Sequence, residues 1–132
     1  MITLGNLIDR ELKKLAERVY DEKLPAETPL PAVVYRFSSS HKPNQREDFI
    51  LQINIWGESE NTAAIEEIGD AITRHFDNKH FTVTADGLRV GIFLISRGAV
   101  PEPDRNIRRR EVRLLCKTYF DYAGELPGTE FE

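Results

Sequence analysis

The segment EDFILQINIWG, residues 47–57, alternates residue by residue between two sets of side chains. One set is wholly apolar and consists of Phe49, Leu51, Ile53 and Ile55. The other set also carries amides and an indole and consists of Ile50, Gln52, Asn54 and Trp56. Because successive side chains of a strand point to opposite faces, the alternation predicts a strand with one face buried. Such a strand needs neighbouring strands and a covering layer.

Two stretches with helical periodicity are candidates for the covering layer. Residues 4–20 place charged side chains opposite an apolar stripe of Leu4, Leu7, Ile8, Leu12, Leu15 and Val19. Residues 60–77 repeat the pattern with a stripe of Ala64, Ile65, Ile68, Ala71, Ile72 and Phe76. Apolar side chains at this spacing lie on one side of an α-helix, so each stretch predicts an amphipathic helix that covers a sheet.

Four further segments have the composition or alternation of strands, namely residues 31–38, 80–85, 88–97 and 110–120. The connector DEKLPAETPLP, which precedes the first of them, contains three prolines and is expected to be extended. The Asp86-Gly87 pair predicts a tight turn. The predicted order is therefore α-β-β-α-β-β-β. It corresponds to a two-layer α+β fold with a mainly antiparallel sheet of about five strands and both helices on one face.

Length and charge limit the functions that this chain can have. With 132 residues, it is expected to form one domain, residues 1–122, followed by a short, flexible acidic tail, residues 123–132. Its net charge of -4 argues against a protein whose main task is to neutralise phosphates. The single cysteine and the absence of an apolar leader predict a protein of the reducing cytoplasm. No apolar run approaches the ~20 residues of a membrane helix, so no membrane partner is expected.

The sequence carries no signature of catalysis, such as a GxSxG motif, a CxxC motif or a glycine-rich phosphate loop. His41, His75 and His80 with Asp77 match no familiar zinc spacing. Cys116 falls in phase with the apolar side of the last strand, which predicts a small buried side chain rather than a nucleophile. We expect a protein that is not an enzyme, with no catalytic residue, no metal and no cofactor.

The segment PEPDRNIRRRE, residues 101–111, is the clearest candidate for a contact site. Its charged residues include Glu102, Asp104, Arg105, Arg108, Arg109 and Arg110. A segment of both signs can meet a neighbouring copy of itself, acids to arginines. Phosphate binding would need the arginines on one side, but strand alternation sends Arg109 and Arg110 to opposite faces. A merely solvated start of the strand is an equally simple interpretation.

Two aromatic residues, Trp56 and Tyr119, oppose the buried set in their strands. Together with Ile50 and Leu115 they would give the outer face of the sheet a large apolar area. Either the proline-rich connector covers part of this area, or the face is a protein interface, where tryptophan, tyrosine and arginine are favoured.

The layout of these elements resembles the small tail terminator or tail completion proteins of long-tailed bacteriophages and prophages. The resemblance spans residues 4–120, and two parts carry it best. The first is LQINIWGES, which leads into the helix NTAAIEEIGDAITRHFD; the second is PEPDRNIRRREVR, which leads into the last strand.

This resemblance implies a structural protein without a cofactor. It implies a ring, commonly of six copies, that caps the tail tube, stops its polymerisation and presents a surface to the head connector. DNA would only pass through the lumen. The protein would assemble in the cytoplasm of the bacterial host and remain at the tail-neck junction of the virion.

Subunit or partner contacts are expected at loops and sheet edges. The candidate residues are Trp56, Glu102, Asp104, Arg105, Arg108, Arg109, Arg110 and Tyr119. Two alternatives stay open: another neck or head-completion protein, and a small cytosolic nucleic-acid-binding module that uses the segment from Arg105 to Arg110.

Overall fold

The strand predicted at residues 47–57 is a central strand of a six-stranded sheet in the computed structural model, which describes residues 2–41, 46–84 and 87–120. In chain order the elements are α1 (Ile2–Lys13), β1 (Val19–Asp21), β2 (Ala32–His41), β3 (Glu47–Glu58), a 3-10 turn (Ser59–Asn61), α2 (Thr62–Phe76), β4 (Lys79–Val83), β5 (Leu88–Val100) and β6 (Ile107–Phe120). The strand order across the sheet is β1-β2-β3-β6-β5-β4. All neighbours are antiparallel except β1 and β2.

The predicted α+β fold class is confirmed, but the sheet has six strands instead of about five. The additional strand, β1, occupies the predicted end of the first helix, because α1 stops at Lys13. Val19 pairs with Val33, whose N–H donates to the carbonyl of Arg18 at 2.8 Å. Val19 is buried in this strand as it would be in a helix, so its apolar character did not distinguish the two conformations.

The β5-β6 hairpin is longer than the sequence predicted. The two strands reach Val100 and Ile107, so their loop is residues 101–106. The pairing shifts by one between Leu94 and Ser96, and Arg97 therefore pairs with Val112. A one-residue shift exchanges the two faces of a strand. It turns Arg97 towards α2, where its Nη1 lies 2.8 Å from the Asp70 carboxylate.

Both helices cover the same face of the sheet, as predicted. Their apolar side chains join the inward residues of the strands in one cluster, whose members include Leu4, Ile8, Leu12, Ile65, Ile72, Phe76, Val33, Leu51, Ile53, Ile92 and Leu114. Gly57 of β3 lets α2 approach closely, since a Cβ there would overlap the side chain of Ile65. Among the described residues no helix has the length and apolar character needed to cross a membrane.

The turn predicted at Asp86-Gly87 is described only at its second residue. Gly87 has a φ of 67°, a left-handed conformation that favours glycine, and its N–H donates to the carbonyl of Thr84 at 3.2 Å. Asp86 and the acidic tail predicted at residues 123–132 lie outside the described residues.

A buried carboxylate joins the two helices. Glu11 of α1 is 4% exposed, and its Oε1 lies 2.8 Å from Nε2 of His75 in α2. Its Oε2 accepts hydrogen bonds from Lys14 at 2.9 Å and Arg10 at 3.2 Å. Burial raises the pKa of Glu11, but the hydrogen bonds from Lys14, His75 and Arg10 outweigh it and lower the pKa to about 2.

We expect Glu11→Gln to lower the free energy of unfolding at pH 7 by about 1–3 kcal/mol, because the amide loses the charge-assisted hydrogen bonds. The folded pKa of about 2 lies below the ordinary value of 4.5, so the wild-type carboxylate stabilises the fold above pH 4.5. That contribution disappears as the pH falls from 4.5 towards 2. Urea denaturation across this range should show the two proteins converging.

The matched control for this experiment is Glu17→Gln, since the Glu17 side chain is 85% exposed. The control should stay within about 0.5 kcal/mol of wild type. Equal stability of the Glu11 variant and the wild type at neutral pH would contradict the stabilising role of the contact.

Candidate functional site

The eight predicted contact residues do not form one surface. Seven of them lie where the β5-β6 hairpin meets β3, a region here called the hairpin end (residues 99–110 with Trp56). The eighth, Tyr119, lies near the other end of β6, where it pairs with Arg89. Ten residues of strand separate Arg109 from Tyr119, which is about 33 Å. Tyr119 therefore lies in a separate region from the other seven residues.

On the outer face of the hairpin end, Arg109 is held by three neighbours. Its guanidinium carbon lies 4.9 Å from the centre of the Trp56 ring. One terminal nitrogen donates to Oδ1 of Asn54 at 3.3 Å, and the other lies 3.5 Å from the Glu102 carboxylate. Glu102 is largely buried, with 15% of its side chain exposed. Arg109 and Glu102 thus pair with each other inside one chain, which makes them poor primary contacts for a neighbouring copy.

On the inner face, Arg110 contacts the second helix. Its Nε donates to Oε1 of Glu66 in α2. Arg97 contacts the other oxygen of Glu66 at 3.5 Å and Asp70 at 2.8 Å. Arg109 and Arg110 therefore lie on opposite faces of the sheet, as strand alternation predicts. Arg97 and Arg110 thus join the β5-β6 hairpin to Glu66 and Asp70 of α2, so the first role of Arg110 is to stabilise the fold.

The loop itself is a fixed turn with exposed charges. Oδ1 of Asp104 accepts the backbone N–H of Asn106 at 2.8 Å, the arrangement of an Asx turn. The carbonyl of Asn106 accepts the N–H of Ser59 at 2.9 Å, which attaches the loop to the start of α2. Arg105 and Arg108 are exposed, and Arg108 donates from Nη1 to the carbonyls of Arg105 and Ile107 at 2.8 and 3.0 Å. The tip therefore presents two guanidinium groups that can pair with carboxylates.

The side chains considered for chemistry have structural roles. His75 contacts Glu11, and Oδ1 of Asp77 accepts the N–H of Leu94 at 2.8 Å. Cys116 is fully buried, and burial raises the pKa of its thiol to about 12, which leaves it without a reactive thiolate at neutral pH. Within residues 2–41, 46–84 and 87–120 no three His, Cys, Asp or Glu side chains group in a way that could hold a metal. The side chain of His41 is not among those that the structure describes.

Sequence reasoning missed a basic groove of about 340 Å³ on the outer face of the sheet, near its β4 edge. The lining residues are Arg46, His80, Phe81, Thr82, Arg89, Val90, Gly91, Phe93, Lys117 and Tyr119. Strand register brings them together: His80 pairs with Gly91, and Gly91 pairs with Lys117. The local signal was a cation at an outward position in several strands, but only the register shows that these positions are adjacent.

The single tryptophan allows a direct test of the outer-face cluster. We expect Arg109→Ala to shift the emission of Trp56 to longer wavelength and to increase its quenching by acrylamide, because the guanidinium no longer covers the ring. Stability should fall by about 1 kcal/mol. The matched control is Arg110→Ala on the opposite face, which should leave the emission unchanged. Identical spectra for wild type and Arg109→Ala would contradict the stacked geometry.

Comparison with known proteins supplies the context for these surfaces. The chain matches the family described as tail completion protein gp17 over residues 7–119. None of the curated protein sequences compared with it matches. One solved chain, from the virion of a native gene transfer agent (GTA) particle, superposes with a TM-score of 0.57 at 15% identity, covering 82% of this chain and 84% of that chain. At this identity the likeness shows the fold alone.

The family match extends from the first helix to the last strand and so includes the whole hairpin end. It confirms the resemblance that the sequence layout indicated. The protein therefore belongs to the tail completion protein gp17 family, and it is a structural protein of the phage tail or neck.

Proposed function

We propose that this protein forms a ring that caps the tail tube, ends its polymerisation and provides the surface to which the head connector joins. The match to the tail completion family over residues 7–119 is the observation that supports this proposal. The ring is a homo-oligomer, with six copies as the expected number. It assembles in the host cytoplasm, uses no cofactor and performs no catalysis.

A closed ring needs a heterologous interface, in which one surface of a subunit meets a different surface of the next. This chain offers surfaces of opposite charge: the basic groove and the exposed arginines of the hairpin end on one hand, and the exposed acids Asp21, Glu22 and Glu27 beside β1 on the other. The net charge of -4 suits a lumen through which DNA slides without being held. In this proposal, DNA passes through the ring without being bound by it.

Within the hairpin end we assign two different roles to the candidate residues. Asp104, Arg105 and Arg108 are exposed and form the direct contact with a neighbouring copy, the tube protein or the head connector. The remaining four, Trp56, Glu102, Arg109 and Arg110, hold the hairpin in position through their contacts within the chain. A preformed loop loses little conformational entropy on binding, which favours such a contact.

The nucleic-acid-binding alternative is less well supported by this geometry. It would need a row of arginines on one side of the segment from Arg105 to Arg110. Arg109 instead pairs with Glu102 on the outer face, and Arg110 pairs with Glu66 on the inner face. Their carboxylate partners reduce the positive potential that phosphates would meet. The neck-protein alternative differs from the main proposal only in position within the particle.

The double variant Arg105→Glu/Arg108→Glu tests the contact. Since both side chains are exposed, we expect its stability to remain within about 0.5 kcal/mol of wild type while particle assembly fails. Complementation of a deletion phage, followed by electron microscopy, should then show tails of irregular length that lack heads. Like charges at an interface cost several kcal/mol, so the effect should be large.

The matched control is Arg36→Glu/Arg74→Glu, which makes the same change of charge at two exposed arginines outside the hairpin end. This variant should support tails of normal length joined to heads. Normal particles from the Arg105/Arg108 variant would remove the loop from the assembly interface. Tails of normal length that lack heads would favour the neck-protein position.

A further inference from the structure

The basic groove has the charge and the shape to bind a negatively charged group. Its lining includes the cations Arg46, Arg89 and Lys117 and the imidazole of His80, and none of the described residues that line it is acidic. Nζ of Lys117 lies 5.4 Å from the centre of the Phe93 ring, and the His80 ring meets the same ring edge to face at 6.1 Å. Of these side chains, Arg46 is paired with Asp48 at 2.8 Å, while Lys117 and His80 both lie against the Phe93 ring.

The floor of the groove depends on a glycine. A Cβ at Gly91 would come within 3.2 Å of both His80 Nε2 and Phe93 Cε2. This separation is tighter than ordinary van der Waals contact, so a larger residue would fill the space between the two rings. Gly91 itself is buried. The groove is therefore a shaped concavity and not only a charged surface.

The opposite edge of the same sheet carries the complementary charge. The acidic turn, residues 21–27, follows β1 and contains Asp21, Glu22 and Glu27, all exposed, with Lys23 as its single base. Glu22 and Glu27 have φ values of 63° and 59°, which bend the backbone at both ends of the turn. Such a prefolded turn can bind without a large ordering cost.

Contacts beyond the turn hold it in place. Nε of Arg18 donates to the carbonyl of Pro29 at 2.9 Å and to that of Pro31 at 3.3 Å. The N–H of Glu22 donates to the carbonyl of Tyr35 at 2.8 Å. These hydrogen bonds fix the connector against β2, and the three acids of the turn are exposed.

The strand order places β1, which precedes the turn, and β4, which carries His80, at opposite edges of the sheet, about 24 Å apart across five strand spacings. A surface on one edge that complements a surface on the other produces head-to-tail association, which closes into a ring when the rotation permits. Each edge strand also has one side without a strand partner among the described residues. Both features favour a second copy of this chain as the occupant of the groove.

We propose that the basic groove of one copy binds the acidic turn of the next copy, a contact that rests on the ring of the proposed function and supplies its lateral interface. Lys117 and His80 pair with Glu22 and Glu27 of the neighbour. The exposed arginines of the hairpin end are then left for partners above or below the ring.

Reciprocal charge reversal tests this contact. The groove variant is His80→Glu/Lys117→Glu, the turn variant is Glu22→Lys/Glu27→Lys, and the combined variant carries all four changes. Sedimentation equilibrium should show that each of the first two weakens self-association by at least about tenfold, because like charges then face each other. The combined variant should recover association to within about threefold of wild type. Thermal melting checks that every variant is folded.

Added salt should weaken wild-type association, since the contact is largely electrostatic. Unchanged association in the two single-surface variants would overturn the proposal, and so would a loss that the combined variant does not recover. A wild-type chain that stays monomeric up to its solubility limit would also overturn it. The proposed function is judged separately by tail length: normal tails from the groove variant would overturn only this contact.

A chain that ends at Phe120 serves as a further control, because residues 121–132 carry four acids and no base and are the competing occupant. The truncated chain should associate like wild type. If truncation abolishes association while charge reversal in the acidic turn does not, the occupant is the C-terminal segment, and the assignment to the turn is wrong.

Discussion

The burial of one face of the sheet under two helices is the constraint on which the rest of the structure depends. Leu51, Ile53 and Leu114 are fully buried on that face, and α1 and α2 both pack against it. Because strand side chains alternate, this burial decides which face every other strand residue occupies. Charged residues that are neighbours in sequence are thereby separated by the thickness of the sheet.

The arginines of the final strand illustrate this separation. Arg110 shares a face with the core and reaches Glu66 on α2, whereas Arg109 faces outwards and stacks on Trp56. In the sequence, the adjacent arginines suggest a basic patch. In the structure, Arg109 and Arg110 instead make two separate contacts within the chain. Of the arginines in this segment, only Arg105 in the β5-β6 loop and Arg108 beside it are exposed and available to partners. The positive surface of this acidic protein arises elsewhere, from residues on separate strands that register brings together.

Much of the fold was predictable because each segment carries a strong local period. The alternation in β3 and the stripes of the two helices reflect burial on one side, so the element types, the fold class and the common helix face followed from the sequence. β1 was missed because Val19 is apolar at a position compatible with both a helix and a strand. The shift between Leu94 and Ser96 was missed because nothing in the local sequence marks it, although it turns Arg97 towards Asp70.

The sequence by itself determined the two layers, the buried phase of each long strand and the opposite orientations of Arg109 and Arg110, because these follow from side-chain geometry within single elements. It also indicated the tail completion family, which the match over residues 7–119 confirmed. Only the tertiary structure decided that Glu102 pairs with Arg109, that Glu11 meets His75, and that His80, Gly91 and Lys117 form one groove. These contacts join residues far apart in the chain, and their partners are set by strand register and helix packing, which no local period encodes.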